Sequence, residues 1–142
     1  MDVLTAALVI FGLLELMNVG VLYFVPGSRK ANGVGVFTAW EKSKADPEVH
    51  EFVRYLVFWV AGTKVIFLGL LAVVLTTGSE QTKAAAAGVL AVSIALFFWR
   101  MFPVARQVDS AGQMRPAGYS RTLGAMIAAM VAVFVLGAAL TL

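Results

Sequence analysis

Residues 3–25 read VLTAALVIFGLLELMNVGVLYFV. The run is apolar over 23 residues, and a helix needs about 20 to cross the hydrocarbon core of a bilayer. One carboxylate, Glu15, interrupts it near the middle. A charge at that depth costs on the order of 3 kcal/mol on insertion scales, so the rest of the chain has to supply a partner. Lys64 is the basic residue set deep inside another apolar run.

Composition agrees with a membrane reading. Hydrophobic residues make up 61% of the 142 residues and charged residues only 13%, with a mean hydropathy of +0.89. A soluble domain is about half apolar. Candidate spans and short connections take up nearly the whole length, which leaves no room for a separate soluble domain of even about 50 residues. With no cysteine, disulfides, thiolate nucleophiles, thiolate metal ligands and thioether-linked haem are excluded. The net charge of +3 comes from basic residues clustered in loops beside apolar runs, a distribution that orients a membrane protein and argues against nucleic-acid binding. The first run has no basic segment before it and is too long for a signal-peptide core, so it reads as a retained span.

Local signals set the helix ends. Pro26-Gly27 stops the first span. In the connection that follows, Val34, Val36, Phe37 and Trp40 suit either a short helix lying in the headgroup layer or a partly ordered linker. Asp46-Pro47-Glu48 starts the second helix with a capping residue, a proline at the first helical position and an acid in the first turn. Gly78 ends that helix and Ser79 caps the next, which predicts a tight hairpin of antiparallel neighbours. The third span is expected to stop before Pro103. The fourth carries Gly124, Ala128 and Ala132 at four-residue spacing, a pattern that permits close helix contact.

These features predict an all-α integral membrane protein: one transmembrane domain over residues 1–142, built as a four-helix transmembrane bundle of antiparallel up-down topology. Spans are placed at about 3–25, 52–77, 80–102 and 119–142, with loops at about 26–51 and 103–118. Arg29, Lys30, Lys42, Lys44 and Arg54 flank the first loop and Arg100, Arg106, Arg115 and Arg121 the second, against Lys83 on the other face. The positive-inside rule puts both loops in the cytoplasm and both termini outside, in the cell (inner) membrane.

Glu15 lies about 15 Å from the cytoplasmic end of its span and Lys64 about 18 Å from that of its own, so a pair is expected, with Asn18 on the same face as a further hydrogen-bonding partner. Thr63 and Ser93 fall at similar depth. Such a group serves either as packing that pins two helices together or as a ligand or proton path, with Glu15, Asn18, Lys64 and Ser93 as the candidate residues. Arg100, Arg106, Arg115 and Arg121 form a basic rim able to hold lipid headgroups or simply to set topology. No catalytic constellation, metal-ligand spacing or cofactor motif is found, and lone His50 is no metal site. Glu15 in the first of four short spans resembles the small multidrug resistance exporters in that one feature. Lys64, which would compete with a cationic substrate, and the biased loop charge set this chain apart, and none of that family's residues is carried over. The sequence therefore favours a non-enzymatic component, either an accessory subunit of a larger membrane complex or a binder of small molecules or lipid. A small homo-oligomeric transporter or proton-coupled exporter comes second and a lipid-modifying enzyme third.

Overall fold

The computed structural model describes residues 2–141. The helices are α1 (Val3–Phe24), α2 (Thr38–Ser43), α3 (Pro47–Thr77), α4 (Glu80–Ala95), α5 (Phe97–Ser110) and α6 (Tyr119–Thr141), with one 3-10 turn at Val34–Val36. Among the described residues there is no strand, only a single bridge between Phe37 and Met114. Four helices, Val3–Phe24, Pro47–Thr77, Glu80–Ser110 and Tyr119–Thr141, are long and apolar enough to cross a membrane.

Side-chain caps fix three of the helix starts. The Asp2 carboxylate accepts from Thr5 N–H at 2.7 Å, Asp46 from Glu48 and Val49 N–H, and Ser79 Oγ from Thr82 N–H. Each satisfies donors that the first helical turn leaves without partners. The Thr5 backbone and hydroxyl bonds lower the Asp2 pKa to about 2. That cap is complete above the ordinary carboxylate range, near 4, and is lost as pH falls through about 2. The carboxyl carbon shift of Asp2 followed by NMR should titrate near 2, and a midpoint near 4 would mean that the cap is open.

The third long helix departs from the expected pattern. It does not stop before Pro103 but tightens at Leu96 and continues to Ser110. Proline removes one backbone donor and crowds the preceding turn; here the cost is met by packing. Phe97, Phe98 and Phe102 contact one another with ring centroids 5.3–5.8 Å apart. Gly124 of α6 lies so close to the Phe102 ring that an added Cβ would come within 2.6 Å of it. The small-residue stripe expected on α6 is used only at Gly124: Ala128 and Ala132 are exposed, and the buried face runs through Ser120, Gly124, Phe134 and Ala138.

The expected hairpin partners also divide differently. α3 leaves the Gly78-Ser79 turn to pack mainly on α1, while α4 packs mainly on α6. On α4 the buried residues are Ala84, Ala87 and Ala91, a face small enough for α6 to approach closely. The main core joins these alanines to Leu4, Leu8, Phe11, Leu71, Phe134 and Ala138. Phe11 is its hub, edge-on to Phe134 at 5.2 Å and to Phe67 at 5.8 Å. A smaller cluster of Leu22, Val57 and Ala61 holds the other ends of α1 and α3 together.

The first connection is neither a free linker nor a helix lying apart from the bundle. Trp40 is buried in the fold against His50. The segment is tied back by Val34 N–H to Pro26 C=O and Gly35 N–H to Ser28 C=O, and it is joined to the second connection by Thr38 N–H to Gln113 C=O and Arg115 N–H to Val36 C=O. A Cβ at Gly35 would collide with the Gly27 and Ser28 carbonyls. Gly35→Ala should therefore destabilise the protein by about 1–3 kcal/mol, the usual range for overpacking, seen as a lower melting temperature in detergent; an unchanged melt would show that the turn opens freely.

Candidate functional site

Glu15 sits one helical turn beyond the hub Phe11, and Lys64 sits one turn from Ala61, which is wholly buried. With so little bulk at Ala61, α3 comes close to α1 and the lysine reaches across. Lys64 Nζ donates to Glu15 Oε2. The pair lies between the two core clusters, and the side chains keep 30% and 20% exposure respectively. Both line one cavity.

That cavity, about 410 Å³, is an open-sided hollow lined by four helices and the first connection. α1 contributes Leu22 beside Glu15 and Asn18, α3 contributes Val53, Val57 and Val60 beside Lys64, α5 contributes Phe97 and Met101, and α6 contributes Leu123 and Ile127. Val34, Val36 and Phe37 close one end. The volume is in the range of small-molecule sites, roughly 300–1,000 Å³, and an apolar wall with a few converging polar groups is their usual chemistry.

Asn18 has a different partner from the one expected. It is buried, lines the cavity and donates from Nδ2 to the Ala31 carbonyl. Its amide thus anchors the turn after α1, where Ala31 and Asn32 adopt φ of 49° and 58°, the left-handed region that asparagine tolerates better than most residues. Tyr119 Oη donates to Asn32 Oδ1 at 3.0 Å, fixing the same turn to the start of α6. Asn32 and Tyr119 also line the cavity, and sequence reasoning missed both, since nothing local to either residue predicts their meeting. Ser93 does not join the site: it is exposed on α4, two residues past buried Ala91 and so on the opposite face. Thr63 is exposed and donates to its own helix at Trp59 C=O.

The four rim arginines do not converge. Arg106 and Arg121 share a surface hollow with Asp109 and Ser120, but Asp109 already accepts from Gly118 N–H, Ser120 N–H and Ser120 Oγ. A carboxylate thus holds the donors that a phosphate would need. Arg100 lies over the Trp99 ring at 5.1 Å and Arg106 over Phe102 at 5.9 Å, while Arg115 is exposed on the second connection.

One serine and histidine pair was not foreseen. Ser43 Oγ and His50 Nδ1 are 2.8 Å apart. The same hydroxyl donates to the Trp40 carbonyl, and a hydroxyl has one proton, so Nδ1 must be the donor in the contact with His50. The imidazole is therefore not placed to take the serine proton. Ser43 is also buried, and the pair serves to tie α2 to the first turn of α3. Among the described residues no cluster of histidine and acidic residues has metal-binding geometry. Comparisons with family models, with curated proteins and with solved structures find no match.

Removing one member of the Glu15–Lys64 contact leaves the other charge unpaired among apolar walls. Glu15→Gln should cost about 3 kcal/mol, the low end of the range for buried pairs because both groups keep some exposure. Adding Lys64→Met should recover much of that loss. Thermal unfolding of the four proteins in one detergent measures the cycle, and purely additive losses would rule out an energetic coupling between the two residues.

Proposed function

We propose that this chain is a multi-pass membrane protein of the cell (inner) membrane that binds a small neutral amphiphile between its helices, without catalysis, alone or as an accessory subunit of a larger complex. The observation that carries the reading is the mostly apolar cavity whose wall holds Glu15 and Lys64 against each other. Their charges compensate, so the cavity offers hydrogen-bonding groups without net charge, and a charged ligand would have to break the pair. Asn18, Asn32 and Tyr119 add neutral polar atoms at one end, matching a molecule with an apolar body and a hydroxyl, carbonyl or amide head. Among the described residues the hydroxyl that meets a base, Ser43 at His50, is buried and gives its proton to the Trp40 carbonyl, which favours binding over an enzyme.

The membrane reading draws support from the outer faces of the long helices, where Ile10, Leu13, Trp59, Ile66, Leu70, Val92 and Leu136 are exposed. Such side chains suit lipid rather than water. The order of contacts between α1 and α3 supports an up-down arrangement: Tyr23 stacks on Phe58, Glu15 meets Lys64 and Phe11 meets Phe67, the sequence of pairs that two antiparallel helices make. The two connections touch at Phe37 and Met114 and carry most of the basic residues, a bias that supports a cytoplasmic position for that end and an outside position for both termini. Cysteines placed at Lys42 and Gln113 should stay unlabelled by an impermeant reagent in intact cells while one at Ser79 reacts; the opposite pattern would invert the topology.

Native mass spectrometry after gentle extraction tests the function. A neutral amphiphile should remain bound to the wild type and be lost from Val60→Trp, whose indole would fill the cavity that Val60 lines. A different protein that co-purifies in fixed ratio would favour the subunit role. A homo-oligomer carrying no ligand would favour transport, the runner-up, in which one bundle has little room for an enclosed path. A ligand-free monomer would contradict binding and transport together.

A further inference from the structure

A second cavity, about 470 Å³, lies between α1 and α6 next to the first, with which it shares Glu15, Asn18, Asn32, Tyr119, Leu123 and Ile127. Its walls include Leu14, Met17, Met126, Ile127 and Met130, and its mouth is formed by Arg29 and Lys30. From the geometry we infer that this groove binds one phospholipid with an anionic headgroup, the headgroup at Arg29 and Lys30 and an acyl chain along the methionine-rich wall.

Three observations lead there. Arg29 and Lys30 take part in none of the ion pairs among the described residues, so their charge is not spent inside the protein. The turn that carries them is anchored at its end: Asn18 binds Ala31 C=O from α1 and Tyr119 binds Asn32 from α6, and residues 29–32 line the groove together. The wall below is apolar and carries three methionines, whose unbranched side chains adapt to irregular partners such as an acyl chain. Glu15 lines the middle of the groove, between Asn18 near the turn and Phe11 deeper in, yet its charge is matched by Lys64 and is not free to oppose a headgroup. A basic mouth over an apolar groove, at the end of the bundle assigned to the cytoplasm, is complementary to the anionic lipids of that leaflet.

The inference rests on the membrane reading but not on the ligand proposed for the first cavity. The test is native mass spectrometry of the full chain in detergent, titrated with phosphatidylglycerol or phosphatidylcholine. Wild type should retain phosphatidylglycerol preferentially. Arg29→Gln with Lys30→Gln should weaken that retention roughly twenty-five-fold, taking about five-fold for each basic residue at an anionic surface, and should leave phosphatidylcholine unaffected. Lys42→Gln with Lys44→Gln removes the same charge from the same connection outside the groove and should bind as wild type does; an equal loss there would reduce the effect to net charge and overturn the site. Leu14→Trp should also displace the lipid while leaving the basic mouth intact. Equal retention of the two lipids, or retention unchanged in Arg29→Gln with Lys30→Gln, overturns the groove alone. A second copy of the chain or an acidic protein bound in place of lipid also overturns it. Failure to retain any phospholipid would count against the membrane reading as well.

Discussion

The contact between Glu15 and Lys64 is the constraint around which this bundle is arranged. A carboxylate in the middle of an apolar helix excludes most ways of packing that helix, because every one that leaves Glu15 facing a wholly apolar neighbour carries a desolvation cost of several kcal/mol. Lys64 supplies the compensation, and it can do so only if α3 lies beside α1 in one register. The wholly buried Ala61 allows the close approach, and Phe11 with Phe67 on one side and Leu22 with Val57 on the other keep that register.

The cavity lies beside the pair. Glu15 and Lys64 line it together with residues of α5 and α6, whereas the alanine face of α4 packs directly against α6. The two connections then finish the site. Asn18 holds the turn after α1, Tyr119 holds it from α6, and the Phe37 and Met114 bridge joins the connections across the end of the bundle. Residues remote in sequence thus line one volume, and the same anchors set the basic mouth of the neighbouring groove.

Some of this was legible in the sequence. Helix starts at Asp46 and Ser79 and the end at Gly78 are local signals, read within three or four residues. Depth along a helix is equally readable, because 1.5 Å per residue converts spacing into height, and counting was enough to bring Glu15 and Lys64 to one level. Facing and long-range partners were not legible. Asn18 binds Ala31 rather than the ion pair, Ser93 turns away on α4, and the helix passes through Pro103, because each outcome is decided by what another segment offers: a carbonyl in a left-handed turn, the alanine face two residues earlier, a glycine opposite Phe102. The Ser43 and His50 contact joins the start of α3 to α2, a segment that sequence alone left open between a helix and a linker, and the connections cannot be seen to pair until both are folded.

Charge reversal tests the central claim most directly. Glu15→Lys and Lys64→Glu each place two like charges at the same depth and should abolish the monodisperse folded species recovered by size-exclusion chromatography. Glu15→Lys combined with Lys64→Glu restores opposite charges on the same two helices and should recover that species together with most of the wild-type melting temperature. If the double reversal remained unfolded, or if either single reversal folded as well as the wild type, α1 and α3 would not be held in register by this pair.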